Sequence, residues 1–225
     1  MRARRKKNLE GRYSAVADIV LARVSSAVMA KPESERGEFI DLYAAFGNNL
    51  PIELEIGCGK GAFILKTADK NPDKNYVGVE LNANVLISAA ELVKNAGVKN
   101  VRFINGSAAL LPYLIKEGTV ENMYLNFSCP YPKKTYANHR LTYPAFLEIY
   151  KKLLARGGKI YQKTDNVDFF EYSLESFEKN GYNIEYTTFD LYCGGEPTGN
   201  VKTEYEEKFT AMGKKICKLI ASVKE

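Results

Sequence analysis

The 225-residue chain lacks any run of about 18 apolar residues, the length that a membrane-spanning helix needs. Its first residues, Met-Arg-Ala-Arg-Arg-Lys-Lys, have no apolar stretch behind them, so we expect no secretory signal. Both absences predict a cytoplasmic protein. The chain is 45% hydrophobic and 26% charged, a composition that allows a sizeable core and fits one α/β domain with extensions.

The chain also has little that could bind a metal ion or form disulfides. His139 is its one histidine, and its four cysteines lie far apart and never form a Cys-x-x-Cys pair. We therefore expect no metal site, because structural zinc sites take closely spaced cysteines and histidines. A disulfide framework is not expected either in a cytosolic chain of this size.

Acidic residues are scarce in two stretches, although the net charge of +5 is only mildly basic. Residues 2–12 contain one acid, Glu10, and six basic residues: Arg2, Arg4, Arg5, Lys6, Lys7 and Arg12. Residues 122–147 contain no acid, and basic residues alternate there with tyrosines: Tyr131, Lys133, Lys134, Tyr136, Arg140 and Tyr143. Basic groups bind phosphates and aromatic rings stack on bases, so the second stretch predicts RNA contact. For the first stretch, a disordered tail is an equal alternative.

Strand and helix patterns alternate along the chain. The predicted strands are 52–56, 75–80, 101–104, 122–127, 159–163, 183–191 and 207–219, and the predicted helices between them are 62–70, 83–96, 143–154 and 169–180. This alternation predicts an α/β fold whose mostly parallel, seven-stranded sheet has helices on both faces. Residues 50–225 would form this domain, and residues 1–49 a basic extension with a short amphipathic helix within 13–30. Ligands of such sheets bind at the carboxyl ends of the strands.

The first predicted strand of the domain runs into a glycine-rich turn. Gly57, Gly59 and Gly61 follow it in a GxGxG pattern, and Glu80 ends the next strand. Glycines let the backbone approach a ligand closely, and an acid at that place accepts hydrogen bonds from both hydroxyls of a ribose. The combination is typical of the S-adenosylmethionine site of Rossmann-like methyltransferases. A structural turn beside a surface glutamate is one alternative; an NAD-dependent enzyme, which favours GxGxxG, is another.

Three separate motifs resemble one known family. Residues 126–142, Asn-Phe-Ser-Cys-Pro-Tyr-Pro-Lys-Lys-Thr-Tyr-Ala-Asn-His-Arg-Leu-Thr, are similar to the NFSDPWPKKRHxKRRLT loop of the tRNA (guanine-N(7))-methyltransferases. Residues 199–209 are similar to the family's TxYEEKF segment, and residues 163–165 and 169–172 also match. The resemblance covers about residues 52–219. It implies a class I S-adenosylmethionine-dependent methyltransferase that binds tRNA and methylates nitrogen 7 of a guanosine in the variable loop.

The resemblance also implies roles for individual residues. The implied cofactor contacts are Glu55, Gly57, Gly59, Gly61, Glu80, Ser107 and Cys129. The implied substrate contacts are Lys133, Asp165, Thr203, Glu204, Tyr205 and Glu206, of which the last four would lie beside the target guanine. The implied RNA contacts are Lys134, Thr135, Tyr136, Asn138, His139 and Arg140. Of these residues, those expected to assist catalysis are Asp165, Glu206 and Cys129.

The sequence departs from the family pattern at the site itself. Cys129 replaces an aspartate, Tyr131 replaces a tryptophan, Ser107 replaces an acid, and the basic run is thinned to residues 135–140. Nitrogen 7 of guanine carries a lone pair and no proton, so methylation needs positioning rather than a general base. The active enzyme is therefore our first hypothesis. A catalytically weak RNA-binding relative is the second, and the sequence leaves a monomer and a homodimer equally open.

Overall fold

We describe the chain from a computed structural model, which covers residues 7–25, 27 and 39–224. Arg2, Arg4, Arg5 and Lys6, for which we predicted RNA contact or a disordered tail, lie outside the described residues. The chain divides into two compact units, Met1–Lys116 (unit 1) and Glu117–Glu225 (unit 2). Among the described residues, no helix is both long enough and apolar enough to cross a lipid bilayer.

Unit 1 is a parallel β-sheet with connecting helices. Its strands are β1 (Val20–Arg23), β2 (Ile52–Ile56), β3 (Asn75–Glu80) and β4 (Val101–Asn105), in the spatial order β1-β4-β3-β2. The three neighbouring pairs are all parallel. Its helices are α1 (Leu9–Ala15), α2 (Leu42–Phe46), α3 (Ala62–Lys70) and α4 (Ala83–Ala96), with a 3₁₀ helix at Ala108–Tyr113. The carboxyl ends of β2, β3 and β4 therefore share one edge.

The predicted bounds of β2, α3, β3 and α4 are confirmed. All of β2 is buried, as expected for a strand of a parallel sheet. Helix α4 begins after Asn82, whose side chain accepts a hydrogen bond from the backbone N–H of Asn84 at 3.0 Å. It ends at Gly97, which has a φ of 74°. The glycine was the stop signal that predicted the end of this helix, and the structure adds the asparagine cap at its start.

The helix predicted within residues 13–30 is wrong in its bounds. Helix α1 ends at Ala15, and Val20–Arg23 form β1, which pairs with β4. The backbone N–H of Phe103 donates to the carbonyl of Ile19 at 2.8 Å, so the edge of the sheet recruits this segment over its local helical pattern. The described residues thus form eight strands rather than seven. The predicted domain boundary at residue 50 stays a prediction.

Unit 2 combines parallel and antiparallel pairing. Its strands are β5 (Val120–Asn126), β6 (Leu154–Thr164), β7 (Tyr182–Thr188) and β8 (Cys217–Val223), in the order β5-β6-β8-β7. Strands β5 and β6 are parallel, while β8 is antiparallel to both of its neighbours. The helices are α5 (Pro144–Leu153), α6 (Val167–Lys179) and α7 (Glu204–Ala211), with a 3₁₀ helix at Lys134–His139.

The strand predicted over residues 207–219 is wrong at its start. Residues 204–211 form α7, and β8 begins only at Cys217. The reason is a capping box. The side chain of Thr203 accepts from the backbone N–H of Glu206 at 2.9 Å, and a carboxylate oxygen of Glu206 accepts from that of Thr203 at 3.3 Å. This reciprocal pair satisfies two backbone donors that a new helix would otherwise leave open.

Candidate active site

The glycine-rich turn after β2 leaves open space beside its backbone. Gly57 and Gly59 have φ angles of +79° and +57°, and a β-carbon added to either would meet no atom within 4 Å. The backbone N–H groups of Gly57 and Cys58 donate to the carbonyl of Val79, at 2.8 and 3.1 Å. The turn is therefore fixed to the end of β3 by its backbone, and the vacant volume lies where side chains would otherwise stand.

Glu80 lies beside this turn at the carboxyl end of β3. One carboxylate oxygen accepts from the backbone N–H of Asn82 at 2.8 Å, and the other from that of Gly59 at 3.3 Å. The carboxylate is thus fixed in place while the residue remains partly exposed. Glu55 on β2 is buried, at 4% exposure. Burial raises the pKa of the neighbouring Cys58 thiol well above its usual value, which keeps that thiol protonated.

Ser107 begins the 3₁₀ helix that follows β4. Its side-chain oxygen accepts from the backbone N–H of Ala109 at 3.3 Å, and its hydroxyl proton remains available as a donor. Within unit 1, the structure therefore brings six of the predicted cofactor contacts to the carboxyl ends of adjacent strands: Glu55, Gly57, Gly59, Gly61, Glu80 and Ser107.

These residues fit S-adenosylmethionine. The cofactor presents two ribose hydroxyls, which are hydrogen-bond donors, and the oriented carboxylate of Glu80 is an acceptor of the right kind. Its adenosine and methionine parts need close approach to a backbone. The space beside Gly57 and Gly59, which a β-carbon would fill, allows that approach.

Unit 2 has a cavity of about 360 Å³ at the carboxyl ends of β5 and β6. The residues that line it are Phe127, Ser128, Cys129, Pro130, Thr164, Asp165, Asn166, Tyr205 and Phe209. The hydroxyl oxygen of Ser128 is buried there and has no hydrogen-bond partner. A buried polar atom without a partner is costly, so it marks a place where a polar ligand would be stabilised. Three predicted residues, Cys129, Asp165 and Tyr205, meet in this cavity.

One wall of the cavity is aromatic. The ring of Phe127 lies 6.2 Å from that of Tyr205 and 5.8 Å from that of Phe209, and the last two rings are 6.0 Å apart. Phe127 and Tyr131 have φ angles of 49° and 41°, in the left-handed region that bulky residues rarely adopt. Such strain is found at functional sites that the surrounding structure holds in place.

Asp165 is held by a residue that the sequence analysis did not single out. The ammonium of Lys214 lies 2.6 Å from one carboxylate oxygen of Asp165 and 4.4 Å from the ring centre of Phe209. The ion pair fixes the Asp165 side chain, which is 19% exposed, at the cavity. Lys214 lies 49 residues further along the chain, so no local pattern could have revealed the pair.

Glu206 is fully buried and lies in a polar network whose other members are buried or partly buried. Its carboxylate accepts hydrogen bonds from Lys163 at 2.8 Å, Tyr192 at 2.6 Å and Asn200 at 2.9 Å, besides its role in the capping box. Burial alone would raise its pKa, but attraction to Lys163 and these hydrogen bonds outweigh burial and lower it. Both oxygens are thus engaged within the protein. Thr203 is buried beside Glu206, and its contact with the base, like that of Glu206, stays a prediction.

The loop predicted to contact RNA is exposed, apart from its last residue. The exposed residues are Lys133, Lys134, Thr135, Tyr136, Asn138 and His139. The guanidinium of Arg140 instead donates to the carbonyls of Pro130 and Tyr131, each at 3.0 Å, and lies 4.2 Å from the ring centre of Tyr172. Arg140 therefore stabilises the backbone conformation of Pro130 and Tyr131, next to Cys129, a role that the sequence did not indicate.

The part of the chain that the structure describes contains no group of three or more His, Cys, Asp or Glu side chains that could hold a metal ion.

The two remaining predicted substrate contacts, Glu204 and Tyr205, lie at the start of α7, and both are exposed.

Comparisons with known proteins show which family the chain resembles. A family model described as "Putative methyltransferase" matches residues 49–219. A tRNA (guanine-N(7)-)-methyltransferase of Geobacillus sp. (strain WCH70) is 46% identical over 196 residues, covering 87% of each chain. A protein of the same name from Streptococcus thermophilus (strain CNRZ 1066) is 40% identical over 225 residues, covering 100% of each.

Solved structures show a similar fold at low identity. The 16S rRNA methyltransferase KamB matches with a TM-score of 0.61 at 15% identity, over 84% of this chain and 96% of that one. The antibiotic-resistance methyltransferase Kmr matches with a TM-score of 0.57 at 19% identity, over 82% and 92%. The predicted α/β methyltransferase fold class is thereby confirmed.

Proposed function

The chain belongs to the tRNA (guanine-N(7)-)-methyltransferase family, and we propose that it transfers a methyl group from S-adenosylmethionine to nitrogen 7 of a guanosine in the tRNA variable loop. The observation that carries the proposal is the cavity in unit 2, where Asp165 stands beside an aromatic wall. A planar base needs an aromatic surface to stack on, and a guanine also needs an acceptor for the donors on its edge.

Unit 1 carries the residues for the cofactor. Glu80 accepts hydrogen bonds from the ribose hydroxyls, and the turn of Gly57 and Gly59 lets the ligand lie against the backbone. Glu55 and Ser107, at the ends of the adjacent strands, complete the set. When bound, S-adenosylmethionine supplies a sulfonium methyl group that a lone pair can attack.

Unit 2 carries the residues for the base. Asp165 accepts from the ring N–H and the amino group of guanine, a donor pair that adenine lacks, so the same contact fixes the base and selects it. Tyr205, exposed at the start of α7, stacks on the ring. The lone pair of nitrogen 7 needs no base to remove a proton, so orientation is the main catalytic contribution. A carboxylate near the ring also stabilises the positive charge that methylation places on it.

Glu206 acts in our proposal through the shape of the site rather than by touching the base. Its carboxylate holds Lys163, Tyr192 and Asn200 together, which fixes the segment that leads into α7. Cys129 lines the cavity and is exposed, but a thiol is a weak hydrogen bonder. The cysteine therefore removes electrostatic assistance without removing an obligatory proton carrier. The exposed loop around Lys133 and Lys134 binds tRNA phosphates.

The test is transfer of a labelled methyl group from S-adenosylmethionine to unmodified tRNA transcripts. The unaltered chain should produce N7-methylguanosine at one variable-loop position. Asp165→Asn should lower kcat/KM by about 10- to 100-fold, because it removes a hydrogen bond to a charged acceptor. Asp168→Asn is the matched control, since that aspartate is exposed in the first turn of α6 and lies outside the cavity.

A Cys129→Asp variant separates the two hypotheses. Product from the unaltered chain supports the enzyme and shows that the aspartate is dispensable. No product from the chain, with product appearing in the variant, would contradict the proposal and favour an RNA-binding relative that has lost catalysis.

A further inference from the structure

The hydroxyl of Tyr13 is buried under the cofactor site of unit 1. Tyr13 belongs to α1 and is 5% exposed. Its oxygen lies 3.2 Å from the side-chain oxygen of Asn105 and 3.2 Å from the carbonyl of Ala83, so it donates to acceptors at the end of β4 and at the start of α4. Burial raises the pKa of this phenol, which keeps the donor proton in place at neutral pH.

Asn105 links Tyr13 to the end of β3 by hydrogen bonds. Its side-chain amide is 2.8 Å from the carbonyl of Glu80 and 3.2 Å from that of Leu81, and it donates to both. The amide therefore fixes the two carbonyl groups that directly follow the Glu80 side chain along the backbone. The carbonyls of Glu80 and Leu81 can only accept, so the amide nitrogen faces them and the amide oxygen faces Tyr13, whose hydroxyl donates to it and so supports this orientation.

The N-terminal segment (residues 8–25) is attached to helix α4 and strand β4 by ion pairs and a backbone hydrogen bond. Arg12 forms a two-point ion pair with Glu91 of α4, one contact of which is 2.6 Å, and Lys94 of α4 contacts Asp18 at 2.6 Å. At its end, the backbone N–H of Val24 donates to the carbonyl of Asn105 at 2.8 Å. The segment thus belongs to the cofactor-binding unit and is not a loose extension of it.

We infer that Tyr13 is a positioning residue for the cofactor site, which acts through Asn105 on the end of β3 that carries Glu80. This inference rests on the proposed S-adenosylmethionine site. It gives the N-terminal segment a share in cofactor affinity, although none of its described residues belongs to the glycine turn or to the strand ends that form the site.

The experiment is calorimetric titration of S-adenosylhomocysteine into the full chain and its variants, well below their melting temperatures. Tyr13→Phe removes only the hydroxyl, and we expect the Kd to rise about three- to tenfold. Tyr182→Phe is the matched control. It removes another buried tyrosine hydroxyl, which donates to the carbonyl of Leu147 at 2.7 Å in unit 2, and should leave the Kd unchanged.

A second variant distinguishes positioning from general loosening. Asn105→Leu removes the amide, and Tyr13→Phe in that background should add little further loss, because the two groups act in one chain of contacts. An unaltered Kd in Tyr13→Phe overturns the inference, as does an equal rise in Tyr182→Phe. Glu80→Gln tests the proposed function separately: if this variant binds like the unaltered chain, the proposed cofactor site fails as well.

Discussion

The two candidate site regions of the molecule, the glycine turn of unit 1 and the segment before α7 in unit 2, are built by different means. In unit 1 the glycine turn is fixed by backbone hydrogen bonds to Val79, and the turn and the two strands beside it lie within residues 52–80. In unit 2 the segment before α7 is fixed by side chains, chiefly the buried contact of Lys163 with Glu206, which are 43 residues apart. The glycine turn depends on the absence of side chains at its glycines, whereas the segment before α7 depends on the presence of side chains.

This difference predicts different sensitivities. The turn itself should be most sensitive to the addition of a β-carbon at its glycines. The buried network should tolerate little at all, because each partner removed leaves a charged or polar group without compensation in the interior.

The largest effect should come from Lys163→Met. The side chain keeps its length, but the carboxylate of Glu206 then loses its cationic partner, and both residues are nearly inaccessible, at 7% and 0% side-chain exposure. We expect the free energy of unfolding to fall by about 3–5 kcal/mol in a urea titration. Lys179→Met is the control, since its pair with Glu175 is exposed and should contribute less than about 1 kcal/mol.

The pH dependence of stability offers a check on the same network. Folding lowers the pKa of Glu206 below its usual value of 4.5. The ionised carboxylate therefore contributes its full share of the free energy of unfolding above pH 4.5, and this share is lost as the pH falls through the folded pKa. Glu206→Gln should flatten the stability curve below pH 4.5. An unchanged acid slope, or a Lys163→Met loss no greater than that of Lys179→Met, would contradict the picture of a buried ionised pair.

The sequence predicted the first region better than the second for a physical reason. The bounds of β2 and β3 and the position of Glu80 follow from local features, namely buried runs and a turn that glycines punctuate. The partners of Glu206 lie on separate parts of the chain, and side-chain contacts at such separations leave no periodic pattern. The strand predicted over residues 207–219 failed for a different reason, because the capping box of Thr203 and Glu206 is a local signal that lies just before this stretch and starts helix α7 there.

A second test, of intermediate size, is Gly57→Ala. Alanine at a φ of +79° costs about 1–2 kcal/mol, and its β-carbon would occupy the space proposed for the cofactor. We expect the Kd for S-adenosylhomocysteine to rise about tenfold or more, measured by calorimetry. Gly97→Ala is the matched control, because Gly97 has a φ of +74° and equally open surroundings but ends α4. Gly97→Ala should lose a similar amount of stability but keep its affinity for S-adenosylhomocysteine. If both variants lost affinity equally, the loss would come from backbone strain and not from the space that the β-carbon added at Gly57 fills.

The smallest effect should come from Lys214→Met, which tests whether side-chain support extends to the rim of the cavity. Lys214 pairs with Asp165 at 2.6 Å but is 44% exposed, so solvent weakens the attraction. We expect kcat/KM for tRNA to fall about two- to fivefold, with the Kd for S-adenosylhomocysteine unchanged. Lys215→Met is the matched control, since its contact with Asp190 is 3.5 Å and its side chain is 73% exposed. A fall in Lys214→Met no larger than in Lys215→Met would mean that Asp165 is held by its backbone. Support by side chains would then be limited to the buried network around Glu206 and would not include the cavity.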